Sequence, residues 1–346
     1  MTLTVLSVGY PLAAVSPDSA GGAEQILATL DRALVAAGHR SIMVAPSGSR
    51  VAGQLHAISP VPDHLDDAAK RRAQAETAAA IAAVRDRADV DLIHLHGIDF
   101  PAYLPEPGVP VLATLHLPPD WYPAAALAPD RPDTWLHCVS AAQHAACPAV
   151  PTLLPPITNG VPVERLRARH AKRNFALTLG RICPEKGIHL AIAAARDAEV
   201  PLLIAGQVYP YADHRRYFDE AVRPALGPHC RFLGPVSFAR KRRLLTAARC
   251  LLVPSLAAET SSLVAREAAA CGTAAIAFPK GAMAETIEHG RTGFVVPDVA
   301  GMAAAIRQAG RIAADTCRAV AAERFSEAAM VGRYLALYAR LAGAGP

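Results

Sequence analysis

Short aliphatic runs alternate with longer amphipathic stretches through the first half of the chain. Residues 3–8 form a run of leucine and β-branched residues and predict the first strand. Residues 22–37 carry apolar side chains at helical spacing and are followed by Gly38, a residue type that commonly ends helices. The other predicted elements of this half are strands 42–45, 92–96, 111–115 and 135–139 and an alanine-rich, charged helix 66–87.

The same alternation starts again after a proline-rich stretch and a basic segment at 165–174. The pattern predicts strands at 175–179, 202–205, 231–233, 250–253 and 274–277, and helices at 187–196, 216–225, 238–248 and 262–270. A final stretch, 326–341, has apolar residues on one helical face and predicts an amphipathic helix.

This order of elements predicts an α/β fold of two Rossmann-like domains. Regular strand–helix alternation is typical of doubly wound parallel sheets with right-handed crossovers. A length of 346 residues fits two domains, which we place at 1–164 and 165–325. Ligands of such sheets bind beyond the carboxyl ends of the strands, so we expect the two domains to face a central cleft.

Composition supports this fold and favours a cytoplasmic location. Hydrophobic residues make up 52% of the chain but aromatic residues only 5%, which suits helices packed on parallel sheets. Seven cysteines without a C-x-x-C pair argue against a disulfide framework or a structural metal site. The N-terminus lacks the features of a signal peptide, and prolines in the uncharged stretch 134–163 exclude a membrane-spanning helix there.

The net charge of +5 is mildly basic, and its densest cluster is the Arg-Lys-Arg-Arg run at 240–243. Most of the charge is expected to be scattered surface arginine. The cluster could attract anionic nucleotides or the inner surface of an anionic membrane, which would make the protein peripheral. No aromatic-interleaved basic motif or zinc spacing accompanies it, so we expect no nucleic-acid partner.

A cationic loop follows the predicted strand 175–179. Arg181 stands just beyond the strand end, and Lys186 stands where the next helix begins. An arginine fork, a lysine point charge and helix amides together are well suited to bind a diphosphate. The alternative is a solvated loop with ordinary surface charges.

Two glutamates, Glu259 and Glu267, stand eight residues apart after the predicted strand 250–253. Ser262 or the preceding serine is the expected N-cap of the helix, which leaves free amides around Leu263 and Val264. Glu259 could reach the hydroxyls of a sugar, and Glu267 could accept from both hydroxyls of a ribose. In the alternative, Glu267 is an acidic residue favoured near a helix start.

Two glycines, Gly21 and Gly22, open the first helix and would let the backbone approach a phosphate or sugar closely. The chain contains neither a G-x-G-x-x-G nor a Walker A motif, which argues against a nicotinamide dehydrogenase or a P-loop kinase.

Histidines cluster near strand ends in the first half. His94 and His96 alternate on a predicted strand and are interpreted as structural. His116 follows the end of another strand and is the histidine that we expect to serve function, against the alternative of a satisfied loop histidine.

Taken in order, these motifs resemble those of the GT-B retaining glycosyltransferases of family 4, the glycosyl transferases of group 1. The resemblance covers nearly the whole chain and rests on the order and spacing of its parts. These are Gly-Gly-Ala-Glu at 21–24, Asn-Gly-Val at 159–161, Leu-Gly-Arg at 179–181, Glu-Lys-Gly at 185–187, the pair Glu259-x7-Glu267 and the small-residue run 268–273.

The resemblance implies a role for each candidate residue. Arg181 and Lys186 would hold the donor diphosphate, Glu267 the ribose, and the backbone near Val236 the base. Glu259 would contact the transferred sugar and His116 would lie beside it, while Gly21 and Gly22 would face the donor from the first domain. The C-terminal helix, 326–346, would cross back onto the first domain. Many relatives carry Phe-Gly where this chain has serines at 261–262.

The implied reaction transfers a hexose-type sugar from a nucleotide sugar, with UDP as the expected nucleotide, to a hydroxyl group with retention of configuration. The acceptor would be a glycan, a lipid-linked sugar or a small natural product. No cofactor or metal is expected, because Arg181, Lys186 and helix amides would stabilise the leaving group. The alternatives are a same-fold epimerase or hydrolase of nucleotide sugars, a sugar phosphorylase, and a non-catalytic nucleotide-sugar-binding protein.

Overall fold

The computed structural model describes residues 2–343, which form two compact units. The first unit contains residues 2–158 and 330–343, and the second contains residues 159–329. Each unit is built on one parallel sheet, which confirms the predicted α/β architecture with two doubly wound domains. Met1 and residues 344–346, which the predicted first domain includes, lie outside the described residues.

The first unit has seven parallel strands in the order β3-β2-β1-β4-β5-β6-β7. The strands are β1 (Thr4–Val8), β2 (Arg40–Pro46), β3 (Gln54–Ile58), β4 (Leu92–Leu95), β5 (Val111–Leu115), β6 (Thr134–Cys138) and β7 (Leu153–Leu154). Its helices include α1 (Gly22–Ala36), α2 (Asp67–Arg85) and α3 (Ala141–Ala146). The central strands are buried on both faces, so aliphatic side chains fill them almost completely.

The end of α1 shows why Gly38 marks a helix terminus in the sequence. Gly38 has a φ of +78°. The N–H of Gly38 donates to the carbonyl of Val35 at 3.1 Å, and that of His39 donates to Leu34 at 2.9 Å. This pair of bonds is a Schellman motif, and glycine adopts the left-handed conformation that the motif requires without steric cost.

The second unit has six parallel strands in the order β10-β9-β8-β11-β12-β13. The strands are β8 (Ala176–Leu179), β9 (Leu202–Ala205), β10 (Cys230–Phe232), β11 (Cys250–Val253), β12 (Ala275–Ala277) and β13 (Gly293–Val295). Its helices are α4 (Val163–Leu166), α5 (Ile188–Asp197), α6 (Ala212–Tyr217), α7 (Phe238–Ala247), α8 (Leu263–Ala270), α9 (Met283–Thr286), α10 (Val299–Gln308) and α11 (Ala314–Arg324). The strand order reverses direction between β8 and β11, and such switch points are where doubly wound sheets bind ligands.

Several predicted elements needed correction. Strands β3, β7 and β13 were not predicted, and all three are edge strands of their sheets. The helix predicted at 216–225 is wrong in its bounds, because α6 starts at Ala212 and then widens into a π-helical turn over Phe218–Val222. That turn is followed by a 3₁₀ turn, Arg223–Ala225, whose proline cannot donate the next helical hydrogen bond.

The final helix, α12 (Glu327–Gly343), completes the core of the first unit from residue 330 onward, as the family resemblance implied. Tyr334 and Tyr338 on this helix are fully buried. The Tyr338 hydroxyl and His94 Nδ1 share a hydrogen bond of 2.7 Å. A helix distant in sequence therefore contributes both apolar and polar contacts to the sheet.

Within residues 2–343, none of the helices combines the length and apolar character needed to cross a bilayer. The uncharged stretch 134–163 contains β6, α3, β7 and the first residue of α4, separated by loops.

Replacing Tyr338 with phenylalanine is expected to lower the free energy of unfolding of the first unit by about 1–3 kcal/mol, because it leaves the buried His94 Nδ1 unpaired. Both tryptophans, Trp121 and Trp135, belong to this unit, so urea unfolding followed by tryptophan fluorescence measures the change. Tyr334→Phe is the matched control, since Tyr334 is equally buried on the same helix but is not hydrogen bonded to a histidine among the described residues. Equal effects of the two variants would contradict a role for the hydrogen bond.

Candidate functional site

The switch point of the second sheet opens a crevice between the loops that follow β8 and β11. The two strands pair only through Ala176 with Cys250 and through Leu177 with Leu251. Beyond these residues β8 pairs with β9 and β11 pairs with β12, so β8 and β11 part toward their carboxyl ends. The two loops carry Arg181, Lys186, Glu259 and Ser262 of the site residues predicted in this unit.

An ion pair joins these loops directly. Lys186 Nζ lies 2.6 Å from Glu259 Oε1, and the side chains are 30% and 8% exposed. The Ser255 hydroxyl donates to the same carboxylate oxygen. Burial would raise the pKa of Glu259, but Lys186, Ser255 and Arg181 together hold that pKa below its ordinary value. Glu259 is therefore an ionised carboxylate in a cationic surrounding.

Arg181 is the second cation of this surrounding. It is half-buried and follows Gly180 at the end of β8. Among residues 2–343, its guanidinium makes neither an ion pair nor a hydrogen bond. An arginine fork without a partner in the described part of the chain keeps its donors available for an anion.

Close backbone packing fixes the two loops against each other. The N–H of Leu256 donates to the carbonyl of Glu185 at 2.8 Å. Gly187 has a φ of +61°, and a Cβ there would lie 2.2 Å from the carbonyl oxygen of Pro254. Only glycine fits this approach, so Lys186 and Glu259 meet because the backbones behind them are in contact.

A second lysine–glutamate pair lies deeper in the unit. Lys241 on α7 is bonded through Nζ to Glu267 Oε1 on α8, and the side chains are only 9% and 5% exposed. Within the run 240–243, which could attract anions, Lys241 is therefore already paired with a carboxylate. Its ammonium faces a buried carboxylate, whereas Arg240 on the same helix is exposed. Val236 lies just before Ser237, the residue that caps α7 with its side chain.

The start of α8 differs from the prediction. Ser262 occupies the N-cap position, but it adopts a left-handed conformation with a φ of +50° and makes no side-chain cap hydrogen bond. The hydroxyls of Ser261 and Ser262 are both buried, and neither has a hydrogen-bond partner in the described part of the chain. Leu263 and Val264 begin the helix, so their amides have no intrahelical acceptor. This helix end thus holds two buried hydroxyls without a partner among residues 2–343 next to two amides without an intrahelical acceptor.

The remaining predicted residues lie in the first unit. Gly21 is the N-cap of α1, and Gly22 is its first residue. A Cβ on Gly21 would lie 1.8 Å from the carboxylate of the buried Glu24, so a side chain there would have to displace it. Glycine at 21 is explained by this local contact, and a contact with the donor stays a prediction.

His116 belongs to a network of four histidines. His96 Nδ1 and His116 Nε2 share a hydrogen bond of 2.9 Å, and their rings are stacked. His94 and His137 both bond to the hydroxyl of Thr114, at 2.6 and 2.8 Å. His94 and His96 are buried, in agreement with their structural interpretation, while His116 is partly exposed. A role for His116 in transfer stays a prediction.

Burial keeps these histidines neutral. Burial lowers the pKa of His137 to about 4 and, together with the neighbouring His137, that of His116 to about 3. It also lowers the pKa of His94 and His96 well below the ordinary value, with contributions from the other histidines of the network. Protonating a buried histidine removes a positive charge from water, and protonating a neighbouring histidine adds repulsion between the two charges, so both effects lower the pKa.

We expect the first unit to lose stability as the pH falls below about 6.5, because the unfolded histidines then bind protons that the folded ones exclude. The stabilisation is fully present above that pH and declines toward the folded pKa of about 4 for His137. One such histidine changes the free energy of unfolding by at most about 1.4 kcal/mol per pH unit. Urea unfolding by tryptophan fluorescence between pH 7.5 and 5 measures this slope. His137→Gln should flatten it, while the same change at the exposed His170 should not.

Lys241→Met is expected to lower the free energy of unfolding by about 3–5 kcal/mol, since it leaves the buried Glu267 carboxylate without a partner. Arg240→Met is the matched control on the exposed face of α7 and should change stability by less than about 0.5 kcal/mol. The double variant Lys241→Met with Glu267→Leu should recover most of the loss. Thermal unfolding followed by circular dichroism compares the three, and similar effects of K241M and R240M would refute the pair.

Two family models match the chain over most of its length. The model described as glycosyl transferases group 1 matches residues 173–310. The model described as Glycosyltransferase Family 4 matches residues 20–152. The first match contains Arg181, Lys186, Glu259 and Glu267.

A phosphatidyl-myo-inositol mannosyltransferase of Mycolicibacterium smegmatis is 34% identical over 186 residues, which are 49% of this chain and 46% of that protein. A glycogen synthase of Mycobacterium tuberculosis is 34% identical over 162 residues, which are 44% of this chain and 38% of that protein. The chain thus aligns with less than half the length of these curated relatives.

Among solved structures, AviGT4, a glycosyltransferase involved in avilamycin A biosynthesis, is 26% identical with a TM-score of 0.73, covering 99% of this chain and 98% of that one. Anabaena HepE, solved in complex with UDP and glucose, is 18% identical with a TM-score of 0.74, covering 98% and 100%, and shares the fold. One family match lies in each unit, and the similarity to AviGT4 extends over both units. The chain belongs to the group 1 glycosyltransferases of family 4.

Proposed function

We propose that this chain is a retaining glycosyltransferase that moves a hexose-type sugar from a UDP-sugar to a hydroxyl acceptor. The observation that carries the proposal is the Lys186–Glu259 pair at the switch point of the second sheet, together with Arg181, whose guanidinium has no partner among residues 2–343. Cations and a carboxylate at one crevice suit a substrate that combines a diphosphate with sugar hydroxyls.

Arg181 and Lys186 are proposed to hold the diphosphate together with the amides of Leu263 and Val264. An ammonium has three donors, and Glu259 occupies one of those of Lys186, so the others remain available for a phosphate oxygen. A helix N-terminus adds amide donors and a positive dipole end. The buried, unpartnered hydroxyls of Ser261 and Ser262 at this end support an acceptor supplied by a ligand.

The two glutamates are proposed to bind hydroxyls. Glu259 is ionised and would accept from hydroxyls of the transferred sugar. Glu267 would accept from the ribose, because Lys241 occupies Oε1 and a carboxylate has further acceptor sites on Oε2. The backbone near Val236, in the loop before α7, would contact the base.

In this mechanism the protein lowers the barrier chiefly by stabilising the charge that forms on the departing diphosphate. Arg181 and Lys186 are preorganised for that charge, so they stabilise the transition state more than the ground state. They supply the positive charge that a metal ion supplies in other sites. As the bond between the sugar carbon and the diphosphate breaks, the acceptor hydroxyl would attack that carbon from the same face and pass its proton to an oxygen of the departing phosphate. No protein nucleophile takes part, and the configuration is retained.

The comparisons support the donor and acceptor classes. Anabaena HepE was solved with UDP and glucose, and the mycobacterial relative is named as a phosphatidyl-myo-inositol mannosyltransferase. AviGT4 acts in the biosynthesis of avilamycin A. For this chain we propose a UDP-hexose donor and an acceptor that is a glycan, a lipid-linked sugar or a small natural product.

Arg181→Gln is expected to lower kcat by about 10²–10³-fold, since it removes a charge aimed at the leaving group. It breaks no ion pair, so the melting temperature should stay unchanged. Lys186→Ala should lose at least as much activity and also destabilise the protein, because Glu259 is left unpaired. Release of UDP from a panel of UDP-sugars, with and without candidate acceptors, measures the effect. Lys70→Ala, an exposed lysine of the first unit, is the control.

Activity that survives in Arg181→Gln and Lys186→Ala would refute the diphosphate assignment. Product analysis separates the competing reactions. Release of a sugar phosphate would indicate a phosphorylase, a changed sugar on the nucleotide would indicate an epimerase, and tight donor binding without turnover would indicate a binding protein.

A further inference from the structure

Three side chains with metal-binding chemistry meet beside the cationic loop of the second unit. Cys183 and Glu185 come from the turn after β8, and His214 comes from α6. One potential ligand atom from each, the thiol sulfur, a carboxylate oxygen and a ring nitrogen, lies within 4.8 Å of the other two. Two separate elements thus bring a thiol, a carboxyl group and an imidazole to one point.

Cys183 and His214 are buried and Glu185 is half-buried. His214 is 5% exposed, and its Nδ1 is buried and has no hydrogen-bond partner among residues 2–343. Within the same residues, the buried Oε2 of Glu185 has no partner either. The contact of the Cys183 thiol with the carbonyl of Arg181 is long, at 3.9 Å. Buried polar atoms without partners are costly and rare, so their presence on two of three clustered side chains supports a ligand that binds this cluster.

The chemistry of the three ligands selects the ion. Thiolate and imidazole ligands favour zinc, whereas calcium and magnesium prefer all-oxygen sites. A thiolate and a carboxylate also neutralise a divalent ion, which limits its repulsion with the nearby Arg181. We propose that Cys183, Glu185 and His214 form a binding site for Zn²⁺ with a fourth position open to water or a small ligand.

The geometry needs only a small adjustment for this ion. Zinc–ligand bonds of about 2.0–2.3 Å place tetrahedral ligands about 3.5 Å apart. The three atoms, which lie within 4.8 Å of one another, would therefore have to approach by up to about 1.3 Å. A terminal rotation of Glu185 and a small shift of the 3₁₀ turn would supply that change.

A metal ion at this position would affect the loop that carries Arg181 and Lys186. Cys183 and Glu185 lie in the same loop as the two residues proposed to bind the donor. Arg181 lies two positions before Cys183, and Lys186 directly follows Glu185. A bound ion would tie this loop to α6 and restrict its motion. This consequence rests on the proposed function, whereas the metal site itself does not.

The test is metal binding by the full-length, metal-stripped protein, with Co²⁺ as the spectroscopic substitute for Zn²⁺. We expect one equivalent of Co²⁺ to give a thiolate-to-cobalt charge-transfer band and visible bands typical of tetrahedral coordination, and Zn²⁺ to displace it. Cys183→Ser should abolish the charge-transfer band, and His214→Gln should weaken binding by more than about 100-fold, because even the loss of an outer-shell partner costs about 10–100-fold.

The chain offers a matched control at a pair of thiols outside the proposed site. Cys138 Sγ and Cys147 Sγ lie 3.5 Å apart in the first unit, and this pair is the main competitor for a soft metal. Cys147→Ser should leave the cobalt spectrum and the zinc affinity unchanged. Absence of the thiolate band in the wild-type protein, or its loss in Cys147→Ser but not in Cys183→Ser, would overturn the proposal. Two variants at separate elements, each checked by thermal unfolding, keep a folding defect distinct from a lost ligand.

Discussion

Two lysine–glutamate pairs, each with a buried carboxylate, hold the segments at the switch point of the second unit together. A buried carboxylate needs a positive partner, and here each partner comes from a different segment of chain. Lys186 follows β8 and Lys241 follows β10, while both glutamates flank the start of α8, after β11. The pairs therefore fasten the loops of three strands to one helix end. Phosphate-binding and hydroxyl-binding groups are positioned by the same contacts that satisfy the buried charge.

The sequence predicted the interior of both sheets well and their edges poorly. Central strands such as β1 and β11 are buried on both faces, so they appear as continuous aliphatic runs. Edge strands such as β3 are half-exposed and carry polar residues, so no run marks them. The irregular course after α6 was also missed, because the widening of a helix into a π-helical turn leaves no clear periodic signal.

The candidate site was predictable where its residues follow strands and helix starts. Arg181, Lys186 and Glu259 stand beyond strand ends, and the parallel topology places them at one edge. Lys241 was missed because it lies among three arginines, and only the rotation of α7 against α8 shows that it alone is buried. Ser262 is the N-cap of α8, as predicted, but it makes no side-chain cap bond because it adopts a left-handed conformation, which a serine rarely does. The group of Cys183, Glu185 and His214 spans two elements and requires the tertiary structure.

The return of α12 to the first unit has a consequence for synthesis on the ribosome. His94 and Tyr338 share a hydrogen bond across 244 residues of sequence. At a translation rate of about 5–20 residues per second, the tyrosine emerges roughly ten to fifty seconds after the histidine. During that interval the nascent first sheet lacks the helix that covers its histidines, while the second unit can already assemble from contiguous chain. The second unit can therefore finish folding before the first unit, although most of the first unit is translated earlier.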